Sequence, residues 1–200
     1  MNLTRRNLVL GAVTAALVVR LPPVLAQTDP SATFVAGFGR DLVAIVNGPG
    51  SAEAKAAQME TAIERSVDVD AIARFCLGRF VRQASPAQLA DYTRLFHRVL
   101  ARTITGHIGD YRGVSFTVGR TLPNADGHAV LTVVVRPGQA PAQVQWVVAK
   151  TDGGPKVVDV VAEGTSLRLT QRSDYGSFLS RNGGDVAALI AAMKRQTGQA

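Results

Sequence analysis

Two different spacings of apolar residues divide the chain near residue 113. Before this point apolar residues recur every three or four positions, as in helices that bury one face. After it, apolar and polar residues alternate over short runs, which is typical of strands with one buried face. The pattern predicts one domain over residues 27–200, with a helical part at 27–113, a sheet at 114–163 and closing helices at 164–200.

Capping residues mark where the helices of the first part begin. Four residues that readily accept hydrogen bonds from the free amides of a first helical turn stand before apolar stripes. They are Asp29, Ser51, Asp68 and Ser85. Ser85 also forms a capping box with Gln88. Beyond the sheet we expect a short helix near residues 173–181 and a last helix after the Gly-Gly-Asp sequence at 183–185.

Four strands are predicted, at 114–122, 127–136, 142–151 and 156–163. Because short turns rich in Pro, Gly, Asn and Asp connect them, consecutive strands should pair antiparallel. One face of each strand is more apolar and should face the helices. The expected inward residues are Val114, Phe116, Val118, Ala129, Leu131, Val133, Val135, Val144, Trp146, Val148, Val158, Val160 and Ala162. The predicted fold is α+β: a twisted four-stranded antiparallel meander covered on one face by five or six helices.

Residues 1–26 have the features of an export signal. Arg5 and Arg6 precede an uncharged apolar run at 8–19, and small residues lead up to Ala26. The apolar run is shorter than the roughly 20 residues that a membrane-spanning helix needs. We therefore expect cleavage after about Ala26 and release into the periplasm, by either the general secretory or the twin-arginine route.

Composition excludes several classes of protein. With 46% hydrophobic and 18% charged residues, the chain is too apolar to be disordered. Its one cysteine, Cys76, excludes a disulfide scaffold or a cysteine-built zinc site. The formal net charge is +7, but bases and acids are mixed along the chain and the leader holds several of the arginines. The sequence lacks the cluster of basic and aromatic residues that is typical of nucleic-acid binding.

The sequence offers little for catalysis. His97, His107 and His128 do not stand at metal-ligand spacings with a carboxylate, so no metal site is expected. The Gly-x-Ser-x-Gly motif of many hydrolases is missing from the chain. Asp159 and Glu163 fall on the predicted outward face, where they would be solvated or paired with bases. We expect no catalytic residue and no enzyme activity.

Several sequence blocks resemble one protein family. They are DVDAIARFCLGRF at 68–80, VVDVVAEGTSL at 157–167, TQRSDY at 170–175 and GGDV at 183–186. In order and spacing they resemble the MlaC family, the toluene-tolerance group of exported lipid-binding proteins. Together they extend over nearly all of the chain after the leader.

The resemblance implies a periplasmic carrier that holds a glycerophospholipid by its acyl chains in an apolar pocket between sheet and helices. Such carriers move lipid between an inner-membrane ABC-transporter complex and an outer-membrane lipoprotein–porin complex, which maintains outer-membrane lipid asymmetry. A hopanoid-associated branch of the family is an open alternative. The phospholipid would be cargo, and no cofactor is implied.

With this resemblance, the apolar faces become candidate pocket walls. The helix wall would comprise Phe75, Phe80, Leu95, Phe96 and Val99. The sheet wall would comprise Phe116, Leu131, Val133, Val135, Val144, Trp146, Val148, Val158 and Val160. Arg74, Arg79 and Arg172 are candidates for the pocket mouth or for contact with a headgroup.

Two other functions fit the same pattern. A cone-shaped pocket under a curved sheet also suits a small isomerase, but that activity needs a carboxylate on the inward face. An envelope assembly module with a solid core would need no cavity at all, since an amphipathic sheet and helix stripe are what any packed α+β core requires.

Overall fold

The structure, a computed structural model, describes residues 29–106 and 108–199. The predicted export signal at 1–26 and His107 lie outside the described residues. The α-helices are α1 (Pro30–Asn47), α2 (Ala52–Ser66), α3 (Val69–Leu77), α4 (Pro86–Thr105), α5 (Leu167–Arg181) and α6 (Val186–Gln196). The strands are β1 (Ser115–Asn124), β2 (Gly127–Val135), β3 (Ala142–Thr151), β4 (Gly154–Ala162) and β5 (Thr165–Ser166). Two short 3₁₀ helices follow α3 and α4, at Gly78–Arg82 and Ile108–Tyr111.

The caps predicted for the first four helices are present. Asp29 accepts a hydrogen bond from the amide of Ser31 at 2.7 Å, and the side chains of Ser51 and Asp68 accept amide hydrogen bonds at the starts of α2 and α3. Both halves of the Ser85 capping box are formed. Local hydrogen bonding alone is enough to define these helix starts.

Helix α5 begins earlier than the predicted range of 173–181. Ser166 caps it by accepting a hydrogen bond from the amide of Leu169 at 3.1 Å. The first turn carries exposed leucines instead of a buried apolar stripe, so the periodicity that identifies a packed helix is missing there.

The sheet has the predicted antiparallel meander, in the order β1-β2-β3-β4-β5. The fifth strand is an addition of two residues, in which Thr165 pairs with Ala162 and Ser166 with Val161. Glu163 and Gly164 form the connecting turn, with φ of 52° and 80°. This turn leads directly into α5 and fixes where that helix starts.

The prediction for the inward face of β2 is wrong. Thr132 pairs directly with Val144, and directly paired residues lie on the same face of a sheet. Strand β2 therefore turns its even-numbered residues toward the helices. Val130 is 0% exposed, whereas Val133 and Val135 are 40% and 39% exposed on the outer face.

Thr132 explains the error. It is the polar residue in the middle of β2, and a polar position normally marks the wet face. Here its hydroxyl donates to the Val144 carbonyl at 3.1 Å and accepts from the Trp146 indole nitrogen at 3.0 Å, so the hydroxyl is satisfied within the sheet. Ala129 and Leu131, predicted to face inward, share the outer face instead.

Helices α1 and α2 contact both the sheet and the other helices. On one side, α1 packs against β1 and β2. On the other, Val46 of α1 and Met59 and Ile63 of α2 join an apolar cluster built mainly by α3, α4, α5 and α6, which we call the helical core. Helices α3 and α5 also contact β4, so the helical core adjoins the sheet at that strand.

Candidate functional site

The inward face of the sheet packs against α1. Val35 of α1 lies with Val130 and Val148 in one cluster, and these side chains are 1%, 0% and 2% exposed. Phe38 of α1 meets Trp146 edge to face, with ring centroids 5.8 Å apart. We call this region, formed by α1 and the inward residues of β1–β4, the sheet–α1 interface.

A glycine brings the backbone of α1 close to the sheet. A Cβ atom placed on Gly39 would lie 2.2 Å from the Phe116 ring, closer than any real contact. Phe116 therefore occupies the space beside the helix backbone that a side chain at position 39 would fill.

The sheet–α1 interface is only partly sealed. Val144, Trp146 and Val160 on its sheet side are partly buried, in contrast to the fully buried Val130. Trp146 and Val160 are directly paired, and Val144 is paired with Ala162 at the end of β4. A band of partly covered apolar side chains thus leads from the interior to the end of β4, where β5 begins.

The structure brings together five of the predicted pocket residues in the sheet. Phe116, Val144, Trp146, Val148 and Val160 all lie on the inward face. Three others do not belong there, since Leu131, Val133 and Val135 lie on the outer face. The pairing of β3 with β4 is interrupted by a bulge, and Val158 lies there without a directly paired residue on β3. Its side chain is 7% exposed.

The predicted helix wall lies elsewhere. Phe80, Leu95, Phe96 and Val99 are buried in the helical core, with Phe75 partly buried at its border. The residues that contact the sheet instead come from α1, mainly Phe34, Val35 and Phe38. The apolar spacing of Phe34 and Phe38 indicates a buried helix face, but spacing alone does not say which helix covers the sheet.

The helical core is tightly closed around aromatic rings. Tyr92, Phe96 and Tyr175 pack together with ring centroids 6.0 to 6.3 Å apart. The Tyr92 hydroxyl donates to the Ala73 carbonyl at 2.9 Å. Burial raises the pKa of both tyrosines and raises the pKa of Cys76 to about 12, which keeps that thiol protonated and unreactive.

Arg172, a predicted mouth residue, packs against α3. Its guanidinium carbon lies 4.7 Å from the centre of the Phe75 ring, and Arg168 lies 4.3 Å from the same ring. Arg172 also donates to the Phe75 carbonyl at 3.2 Å. The two cation–π contacts attach the start of α5 to α3.

Asp159 organises the junction between β4 and α5. Its carboxylate accepts hydrogen bonds from the Val160 amide at 2.8 Å, the Ser166 hydroxyl at 2.6 Å and the Arg168 amide at 3.2 Å. The Arg168 side chain also forms an ion pair with Asp126. Of the two alternatives expected for Asp159, pairing with a base is confirmed, since Arg168 lies 3.5 Å from its carboxylate, and at 6% exposure the residue is not solvated.

The three mouth arginines do not converge. Arg74 lines a groove of about 680 Å³ between α3 and α4, together with Arg94 and Arg98. Arg79 lies over the Phe80 ring and donates to the Ser180 hydroxyl of α5 at 3.5 Å. Only Arg79 and Arg172 thus lie on the α3–α5 side of the molecule.

A histidine links three helices beside the same groove. The ring nitrogens of His97 on α4 lie 2.7 Å from Glu64 of α2 and 2.8 Å from Asp70 of α3. Burial disfavours the charged ring, but the hydrogen bonds to Asp70 and Glu64 outweigh this effect and raise the pKa of His97.

In residues 29–106 and 108–199, histidine, cysteine and carboxylate side chains do not gather in groups of three or more that would hold a metal ion. Among the same residues, every helix is too short or too polar to cross a bilayer.

Comparison with known proteins places the chain in a family. The fold is similar to that of a phospholipid-binding protein from Ralstonia solanacearum, solved in complex with a phospholipid. The TM-score is 0.74 at 23% sequence identity, covering 84% of this chain and 97% of that chain. The sequence model of a family described as MlaC protein matches residues 40–195. Because this match spans well over half of the sequence, the chain belongs to the MlaC family.

Proposed function

We propose that this protein is a periplasmic carrier that holds a glycerophospholipid by its acyl chains at the sheet–α1 interface. The observation that carries the proposal is the band of partly covered apolar side chains formed by Val144, Trp146 and Val160. Membership of the MlaC family and the similarity to a phospholipid-binding protein support it.

The free-energy cost of taking a lipid out of a bilayer requires an apolar binding site. Transfer of an acyl chain to water costs about 0.8 kcal/mol per CH₂, or ~12 kcal/mol for a chain of about fifteen carbons. A net hydrogen bond or a surface ion pair contributes only about 1 kcal/mol. Only burial against many apolar side chains can offset the transfer, and the sheet–α1 interface supplies valine, phenylalanine and tryptophan side chains for it.

We assign the protein no catalytic step and no cofactor. An isomerase-like mechanism would require a carboxylate that faces the lipid site and is free to move a proton. Asp159 pairs directly with Val147 on the outer face, and three hydrogen bonds occupy its oxygens. The role of Asp159 is to hold the start of α5.

In the cell, the carrier would exchange its cargo with an inner-membrane ABC-transporter complex and an outer-membrane lipoprotein–porin complex. The resulting lipid traffic would maintain outer-membrane lipid asymmetry. Family membership and the export-signal features of residues 1–26 support this role. Export after cleavage near Ala26 is part of the same proposal.

Two tryptophan substitutions test the site. V160W fills the sheet–α1 interface, whereas V133W is a matched control on the outer face, where Val133 is 40% exposed. We expect wild type and V133W to co-purify with phospholipid under native conditions and folded V160W to lose it. Native mass spectrometry with lipid extraction measures the occupancy and identifies the lipid class, including any hopanoid.

Each outcome of this experiment tests a different part of the proposal. Equal phospholipid in V160W and V133W would show that the sheet–α1 interface is not the site. Wild-type protein without phospholipid after gentle purification would refute the carrier function itself. If V160W only loses stability, by the 1–3 kcal/mol typical of overpacking, and wild type is lipid-free, the envelope module with a solid core is the better description.

A further inference from the structure

Trp146 lies where two apolar clusters of the sheet–α1 interface meet. It packs against one cluster around Val130 and against another around Phe38. Its ring meets the Phe38 ring edge to face, with an angle of 81° between the ring planes. The buried members of both clusters are at most 4% exposed, whereas Trp146 stays partly exposed. The indole ring therefore joins the closed interior to the partly covered edge.

The indole N–H of Trp146 has a hydrogen-bond acceptor on the neighbouring strand. Trp146 pairs directly with Val130, and Thr132, two residues further along β2, pairs with Val144. Thr132 is thus the diagonal neighbour of Trp146 on the inward face, and its hydroxyl accepts from the indole nitrogen at 3.0 Å. The same hydroxyl donates its proton to the Val144 carbonyl at 3.1 Å, so the indole meets it as an acceptor.

Two contacts in different directions hold the indole ring. The hydrogen bond to Thr132 attaches its nitrogen edge to β2, and Phe38 packs against it from α1. Thr132 is 2% exposed, so water does not compete for its hydroxyl. A ring that is already fixed loses less conformational entropy when a ligand packs on it, and such preorganisation favours binding.

We propose that Thr132 is a positioning residue that holds the Trp146 indole as a wall of the lipid site, against which an acyl chain packs. The proposal rests on the carrier function and adds the polar group that makes an aromatic wall compatible with an apolar cargo. An acyl chain offers no hydrogen-bond acceptor, so an indole N–H that it covers needs a partner within the protein. Thr132 supplies that partner.

The hydrogen bond from Trp146 to Thr132 matters more when lipid is bound than when the site is empty. In the empty protein the partly exposed indole can donate to water if the Thr132 hydroxyl is lost. Once an acyl chain covers the ring, water is excluded and the donor is left without a partner, which is the costly arrangement for a polar group. Loss of the hydroxyl should therefore weaken lipid binding more than it weakens the fold of the lipid-free protein.

Partition of phospholipid between the protein and sedimentable vesicles of phosphatidylethanolamine and phosphatidylglycerol measures lipid binding. T132V removes the acceptor and keeps the shape of the side chain. We expect T132V to shift the partition toward the vesicles by about tenfold, and T132S, which restores the hydroxyl, to behave as wild type does. The matched control is T117V, because Thr117 is exposed and pairs with Val133 on the outer face. It should also partition as wild type does.

A double-mutant cycle tests whether Thr132 acts through Trp146. W146F removes the indole N–H, so no donor remains for Thr132 to satisfy. T132V should therefore have little further effect on the partition in the W146F background. Thermal unfolding of the lipid-free proteins is the structural control, and the midpoints of T132V and T132S should lie close together.

Fluorescence reports contact with the acyl chain directly, because Trp146 is the one tryptophan of the sequence. Bromine atoms on an acyl chain quench an indole that they touch. The probes are phospholipids of the same two headgroups, brominated at successive positions along the chain. We expect at least one of them to lower the emission of wild type relative to the unbrominated lipid. This measurement needs no substitution, so it stays decisive if T132V does not fold.

Several results would overturn the positioning role and leave the carrier function standing. Bound phospholipid may not quench Trp146 at any bromine position, or T132V may partition as T117V does: either result rules the role out. So does a T132V effect that T132S shares or that persists in the W146F background. Wild type that neither co-purifies with phospholipid nor takes it up from vesicles would instead refute the carrier function, and the positioning role with it.

Discussion

The centre of the helical core is closed, whereas the sheet–α1 interface is closed at Val35 and Val130 but only partly covered along one edge. In the helical core Tyr92, Leu95 and Leu179 are each 0% exposed. At the sheet–α1 interface Trp146 and Val160 stay partly exposed although they belong to an inward sheet face. A core that is sealed resists change, whereas an incompletely covered apolar face can exchange its contacts for those of a ligand. We infer that the helical core holds the fold and that the proposed cargo would contact the partly covered edge of the sheet–α1 interface.

Removing a large side chain from the helical core should have the largest effect. L95A leaves a cavity among side chains that cannot relax around it, and such changes cost about 2–5 kcal/mol. Denaturant unfolding should therefore show a markedly lower midpoint for L95A. The folded fraction should keep its phospholipid, because Leu95 belongs to the helical core and not to the apolar clusters of the sheet–α1 interface. Loss of phospholipid from folded L95A at a normal midpoint would contradict the division between the two regions.

The glycines of α1 offer a sharper test of the interface. G39A places a Cβ at 2.2 Å from the Phe116 ring, whereas in G37A the nearest atom, from Arg40, is 4.0 Å away. We expect G39A to destabilise the protein by about 1–3 kcal/mol and to lower its phospholipid content.

G37A is the matched control for helix propensity. Since alanine favours a helix over glycine by about 1 kcal/mol, G37A should be neutral or stabilising. Thermal unfolding and lipid extraction of the two variants provide the comparison. Similar behaviour of G39A and G37A would show that Phe116 does not depend on close contact with α1.

The same contrast explains which sequence predictions succeed. The helix starts at Asp29, Ser51, Asp68 and Ser85 follow from hydrogen bonds within one turn, so local sequence is sufficient. The number and direction of the long strands follow from their short connections. These features do not depend on tertiary packing between the helices and the sheet.

The predictions that are wrong concern features that tertiary packing determines, such as which strand face and which helix lie in the interior. Strand β2 has valines on both faces, and its polar Thr132 is satisfied inside the sheet, so alternation identified the wrong side. The stripes containing Phe38 and Phe96 are both typical of buried helix faces. Only the folded chain shows that Phe38 meets the sheet and Phe96 the helical core. The start of α5 is missed because Leu167 and Leu169 point to solvent.

The two buried tyrosines of the helical core should differ in how much stability the protein loses when the hydroxyl is removed, and this effect is smaller than the preceding ones. The Tyr92 hydroxyl donates to the Ala73 carbonyl, while the Tyr175 hydroxyl is buried without a hydrogen-bond partner among the described residues. Y92F should cost about 1 kcal/mol, and Y175F should be neutral or stabilising. Denaturant unfolding of both variants measures the difference. Equal losses would show that the Tyr175 hydroxyl has a partner in solution.

The smallest effect is expected from the pH dependence at His97, which joins α2 and α3 to α4 at the edge of the helical core. Because its side chain is 27% exposed, solvent screens the interactions with Glu64 and Asp70. Folding raises the pKa of His97 above its ordinary value of 6.5. The folded protein therefore binds this proton more tightly than the unfolded chain does. Its stabilisation is complete below about pH 6.5 and declines as pH rises through the folded-state pKa.

A pH series of thermal unfolding isolates this contribution when wild type is compared with H97Q. Wild type should lose stability as the pH rises above about 6.5, because the neutral ring has one donor left for two carboxylates. H97Q should show a flatter profile in that window, since its amide does not titrate. The same decline in both proteins would assign the pH dependence to another group. A steeper decline in H97Q would show that Glu64 and Asp70 do not hold the proton on His97.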